Sequence, residues 1–142
     1  MKKCMIFWMC AAVLTMTGLT SCNLSKEDGD WDPMKWSAEQ EYSMDNGYYV
    51  IPAEGATISF ICNNYKAPWL SDAATGGHYY FPNYEAGDYR NIKGDWFQAT
   101  TSQDRLTVIF TENTATDRYL SVTATAGDIF CTFLFKQKAN TH

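Results

Sequence analysis

Histidine is almost missing from this sequence: His78 and His142 are the only two. That leaves little support for histidine-built metal clusters or for catalysis by a histidine-activated nucleophile. Basic residues are also scarce, 11 Lys and Arg against 16 Asp and Glu, whereas a nucleic-acid surface needs an excess of positive charge to meet phosphates. No apolar run reaches the ~20 residues that a membrane-spanning helix requires. There is no nucleophile elbow and no phosphate-cradling glycine loop, and no spacing pairs two carboxylates for acid–base work. The expectation is a non-enzyme without cofactor or metal. Asp28, Asp30, Asp32 and Glu39 have the spacing of a calcium loop, but Pro33 stands where that loop's sharp turn wants glycine.

What is present begins with an export signal. Lys2 and Lys3 form a positive start, and Met5 to Leu14 form an apolar run of the length that signal peptides use. Leu19-Thr20-Ser21-Cys22 follows. A branched apolar residue and two small residues before a cysteine resemble the lipobox of bacterial lipoproteins, which implies cleavage after residue 21 and lipid on Cys22. Two or three acyl chains hold a protein to a membrane durably where one does not, since each buried methylene adds ~0.8 kcal/mol. The short acidic run Lys26-Glu27-Asp28-Gly29-Asp30 resembles the surface-export signal of Bacteroidetes lipoproteins. It implies an outer-membrane lipoprotein exposed at the cell surface. Loss of Lys2 and Lys3 takes the basic count from 11 to 9 against 16 acidic residues, a net charge near −7.

Residues 22–46 are mostly polar and read as a lipidated tether, with the aromatic stretch Trp31 to Trp36 expected to dock on the domain. From residue 47 to 142 the pattern is β, with short runs of β-branched and aromatic residues broken by turn formers. Period two puts Ile58, Phe60 and Cys62 on one face, and likewise Leu106, Val108 and Phe110; Leu120, Val122 and Ala124; and Ile129, Cys131, Phe133 and Phe135. No segment shows a helical period. The pattern predicts an all-β sandwich of about seven antiparallel strands. Ile61, Ile109, Phe130 and Leu134 fall on the outward phase, so a cover is expected over them, either the Trp31–Trp36 segment or residues 71–95. That second stretch is rich in glycine and asparagine and reads as a long loop with room for a short hairpin.

Leu106 to Asn113, then Arg118 opening an alternating strand, then a turn and a strand ending Phe133-Leu134-Phe135-Lys136-Gln137, together resemble the BACON domain (Bacteroidetes-associated carbohydrate-binding, often N-terminal). Ala53-Glu54-Gly55 resembles that family's start, and Trp69 and Trp96 fall where it keeps two tryptophans. The resemblance spans about residues 48 to 139, with a longer insertion between the tryptophans. It implies an immunoglobulin-like sandwich and a carbohydrate ligand.

Sugar rings stack their C–H faces on aromatic rings while polar side chains bond their hydroxyls. Tyr79, Tyr80, Asn83, Tyr84, Asp88, Tyr89 and Arg90 supply both kinds of group and form the candidate ligand site. Burial of the same rings beneath the insertion is the alternative. Cys62 and Cys131 share an inward phase and stand either as a disulfide or as two buried thiols. The expected function is a surface-tethered binding or adhesion module for glycans, held to the membrane through Cys22. The alternative is an accessory subunit of an envelope complex, recognised by a protein partner. Labelled palmitate is expected to enter the wild-type chain and to be excluded by Cys22→Ser; equal labelling of both would refute the lipid anchor.

Overall fold

The computed structural model describes residues 32–140; Cys22, the export signal, the acidic run and Trp31 lie outside them. Within this range the chain is all-β and contains no helix. In chain order the strands are β1 (Trp36–Ala38), β2 (Met44–Asp45), β3 (Tyr48–Ile51), β4 (Ala56–Cys62), β5 (Trp69–Thr75), β6 (His78–Tyr80), β7 (Asn91–Lys93), β8 (Phe97–Ser102), β9 (Arg105–Phe110), β10 (Arg118–Thr125) and β11 (Phe130–Gln137). One sheet has the order β1-β4-β9-β8-β7 and the other β2-β3-β11-β10-β5-β6. Eleven strands among the described residues replace the seven expected. One pairing, β11 with β3, is parallel, so the second sheet is mixed.

The alternating phases hold. Ile58, Phe60, Leu106, Val108 and Phe110 of the first sheet meet Leu120, Val122, Ala124, Phe133 and Phe135 of the second in one core. Burying each such side chain contributes about 1.5–3 kcal/mol. Two strands escape the hydrophobic pattern for identifiable reasons. β8 turns Phe97, Ala99 and Thr101 inward, a phase diluted by the small and polar members. β5 carries a bulge, its register to β10 slipping between Thr123 and Ala124, and an extra residue breaks period two. Residues 71–95 begin inside β5, form the β5–β6 hairpin that the sequence leaves room for, and then run as a loop from 81 to 90 before β7.

The compact unit starts at Met34 rather than at residue 47. β1 pairs with β4, setting Trp36 opposite Cys62. That register puts Trp36 on the core phase, and its ring meets Phe133 edge-on at 5.1 Å instead of covering an outer face. Where β1 ends, the Tyr42 hydroxyl takes over the edge of β4 and accepts the Ser59 N–H at 3.0 Å. Ile61 and Leu134 are half-buried, while Ile109 and Phe130 remain 43% and 57% exposed. The expected cover over Ile109 and Phe130 is thus missing among the described residues.

A buried polar network closes one end of the sandwich. Gln137 is fully buried; its Nε2 donates to the carbonyls of Thr111 (2.7 Å) and Pro52 (3.1 Å), and its Oε1 accepts from Arg118 Nε (2.9 Å). Arg118 Nη2 donates to Glu112 O at 3.1 Å, and its guanidinium lies 4.1 Å from the Trp96 ring centroid. Burial lowers the Arg118 pKa; a guanidinium stays charged regardless. Asn113, also fully buried, donates from Nδ2 to Thr116 O (2.8 Å) and Lys138 O (3.0 Å), and its backbone N–H reaches Ala53 O at 2.7 Å. Gly55 completes the turn beneath: with φ +96°, a Cβ there would stand 2.5 Å from Phe110 O.

Cys62 and Cys131 are not joined. They lie on opposite sheets, and the rings of Trp36, Phe60 and Phe133 fill the space there, Phe60 and Phe133 with centroids 4.7 Å apart. Alkylation in denaturant without reductant is expected to label both Cys62 and Cys131; a product lacking both labels until reduction would contradict the structure. Gln137→Leu removes one hydrogen bond each from Thr111 O, Pro52 O and Arg118 Nε and is expected to lower unfolding free energy by about 1–3 kcal/mol in urea titrations, with an unchanged midpoint the opposing result.

Candidate functional site

The second sheet turns a face of unusual composition to solvent. Ser121 pairs with Leu134 on one side and with Ala74 on the other, and Ala74 pairs with Tyr79. Tyr48 extends the same row, since the next residue, Tyr49, pairs with Phe135. The row Tyr48–Leu134–Ser121–Ala74–Tyr79 crosses five strands at right angles to them. Its middle is low because Ala74 and Ser121 are small, and its two ends are aromatic. The result is a shallow groove of about 280 Å³, with Tyr119 joining Tyr48 at one end.

The rings at the ends are held in place. Tyr119 packs edge-on against Tyr48 at 5.2 Å, and Tyr79 stacks with Phe81 at 6.3 Å and 14°. Yet Tyr79 is 61% and Tyr119 46% exposed, an amount that core packing does not explain. Tyr79 owes its position to the β5–β6 hairpin, whose Gly76-Gly77 turn has both φ positive (58° and 80°). Such a turn matches the twist of the two strands it joins. Lys136 stands beside Tyr119 in the register to β10. A hydrogen bond to Asp45 raises its pKa, and its Nζ lies 3.4 Å from Asp45 Oδ2 and 3.8 Å from Asp117 Oδ2.

The candidate ligand residues do not come together. Tyr79 joins the groove. Tyr80, next in a strand, faces the other way and meets Phe97 edge-on at 5.3 Å, so it belongs to the core rim. Asn83 and Asp88 fold the following loop: they bridge each other, Asn83 Oδ1 accepts from Ala86 N at 3.2 Å, and Asp88 Oδ1 accepts from Arg90 N at 3.0 Å. The loop runs from one sheet to the other, with Tyr89 O accepting from Leu70 N (2.8 Å) and Arg90 O from Thr101 N (2.9 Å). Tyr84 and Tyr89 lie 5.3 Å apart, and the Tyr84 hydroxyl donates to Ser71 O at 3.0 Å. Tyr89 and Arg90, with Trp69, line a second concavity of about 290 Å³.

Tyr48, Tyr119 and Ser121, which line the groove, do not stand out in the sequence. Their outward phase is readable from period two; that β3, β11, β10, β5 and β6 lie side by side in that order is not.

A solved NMR structure of a protein from Bacteroides thetaiotaomicron has the same architecture, with a TM-score of 0.69. It is 32% identical, and the match covers 86% of this chain and all of that one. The two chains belong to one family. No family model matches the sequence, and no curated protein does. The likeness therefore carries a family and a fold without assigning a ligand.

Proposed function

We propose that this chain is a non-catalytic binding module, tethered by lipid on Cys22 at the surface of the outer membrane, and that its ligand is a glycan. The observation that carries this reading is the set of solvent-facing rings, Tyr79, Phe81, Tyr84 and Tyr89, each 42% or more exposed, with Tyr79 on β6, Phe81 just past it, and Tyr84 and Tyr89 in the loop that Asn83 and Asp88 fold. Exposed aromatics held by a rigid scaffold offer large contact area at small conformational cost.

The fold reading is a BACON-like, immunoglobulin-like sandwich. Setting aside the four short edge strands β1, β2, β6 and β7, of two or three residues each, seven of the eleven strands remain. Of the residues that carry the resemblance, Gly55, Trp96, Asn113, Arg118 and Gln137 lie at one end of the sandwich, while Trp69 lines the concavity with Tyr89 and Arg90. A relative from a Bacteroides species is in keeping with the lipoprotein and surface-export readings of the N-terminus.

The exposure of Ile109 and Phe130 favours a second reading, in which the module is an accessory subunit of an envelope complex. Crosslinking followed by co-purification, compared with Phe130→Ser, tests it.

For the leading reading, the full-length protein in detergent is applied to a glycan array beside Tyr79→Ala and Tyr84→Ala. Wild type is expected to bind at least one glycan class, and at least one substitution to weaken it about three- to tenfold. An array without signal, or binding indifferent to both changes, refutes the sugar ligand.

A further inference from the structure

Resting on the glycan reading, we propose that the groove across the six-stranded sheet, and not the loop with Tyr84 and Tyr89, is the ligand site, and that it takes a short uncharged oligosaccharide laid across the strands.

Length comes first. Tyr48 on β3 and Tyr79 on β6 are separated by four inter-strand steps, ~19 Å at the ordinary strand spacing. A pyranose unit in an extended chain is about as long as one such step, so about three to four units reach from one aromatic end to the other. The small side chains of Ala74 and Ser121 keep the floor low between them, and Leu134 gives it an apolar patch. The terminal units stack on Tyr79 at one end and on Tyr48 with Tyr119 at the other. Hydroxyls of Ser121 and of the tyrosines are there to bond those of the sugar.

Charge decides the class of sugar. No Asp, Glu, Lys or Arg is among the described residues that line the groove. The nearest cation in the register, Lys136, is engaged by Asp45 and Asp117. A carboxylated or sulfated chain would find no cation to repay its desolvation, and the acidic protein would repel it.

A peptide is the weaker occupant. Extended peptides gain most of their affinity by pairing backbone groups with a sheet edge. This groove crosses the face of a sheet, where the backbone groups of β11, β10 and β5 are already paired with neighbouring strands. What it offers is ring faces.

The loop corner is built differently. Asn83 Oδ1 and Asp88 Oδ1 each accept a backbone N–H of their own loop, and the Tyr84 hydroxyl donates to Ser71 O. Tyr84 and Tyr89 pack on each other, which leaves less free ring face than Tyr79 presents.

The test is calorimetric titration of the full-length protein in detergent with neutral oligomers of glucose, mannose, galactose and xylose, dimers to hexamers, and with acidic counterparts. Affinity is expected to rise to about three or four units and then level off, with neutral chains preferred. Tyr79→Ala and Tyr119→Ala are each expected to weaken binding about three- to tenfold, and Ser121→Trp, which fills the floor, to abolish it with an unchanged melting temperature. Tyr84→Ala and Tyr89→Ala are expected to leave it within twofold. If sugar binds but only the Tyr84 and Tyr89 changes matter, or acidic chains are preferred, the groove assignment fails while the glycan reading stands. If no neutral or acidic oligomer binds, both fail.

Discussion

The fold depends on the side chains of Gln137, Asn113 and Arg118 at the closed end of the sandwich. A sandwich of short strands has an awkward place at each end, where the chain leaves a sheet and its backbone groups lose their ladder partners. Here five chain segments meet: the turn at Pro52 and Ala53, Trp96 before β8, the loop 111–116, the start of β10 and the end of β11. An unpaired buried carbonyl costs about 1–3 kcal/mol, and several cluster within this small space. Three polar side chains satisfy them together, and the charge of Arg118 is shared between a carboxamide, backbone carbonyls and the face of Trp96. Both sheets contribute, so the network fixes their relative placement where apolar packing alone would tolerate slippage.

The opposite arrangement holds on the outer face of the six-stranded sheet. There the side chains are held by neighbours without being covered by them. Tyr48 and Tyr119 brace each other, Tyr79 stacks with Phe81, and the core lies one residue away on the other phase, with Tyr49 and Tyr80 as the inward counterparts. Alternation thus divides each tyrosine pair in sequence between structure and surface. Tyr49 is packed against Phe60 and Phe135, and burial followed by the nearby Cys131 raises its phenol pKa. The same residue type one position away, Tyr48, packs on Tyr119 at the outer face instead.

Much of the core was legible in the sequence. β10 falls on residues 118–125 as the pattern predicts, and the apolar phases of β4, β9 and β11 are the buried ones. What could not be read had physical causes. The bulge in β5 destroys the phase on which the reading relies, β8 spends an inward position on Thr101, and β1 and β2 are too short for any period to emerge. The candidate groove is half legible: Tyr79 stands out in the sequence, but its neighbours across the sheet come from strands far away in sequence. Period two tells which way a side chain faces and nothing about which strand stands beside it. Tyr80 shows the converse error, since composition drew it into the ligand cluster although its neighbour's phase already excluded it. The parallel pairing of β3 with β11 follows from bringing the first main strand back beside the last, a topological event with no local signature.

The four outermost strands, β1 and β7 in one sheet and β2 and β6 in the other, are each only two or three residues long, and beyond β1 the margin of β4 is occupied by a phenol hydroxyl. Strand-to-strand addition needs a longer unpaired ladder than any of these offers. Copies of the chain are thereby kept from zipping edge to edge into polymers, and any partner would have to be gripped by side chains rather than by backbone pairing.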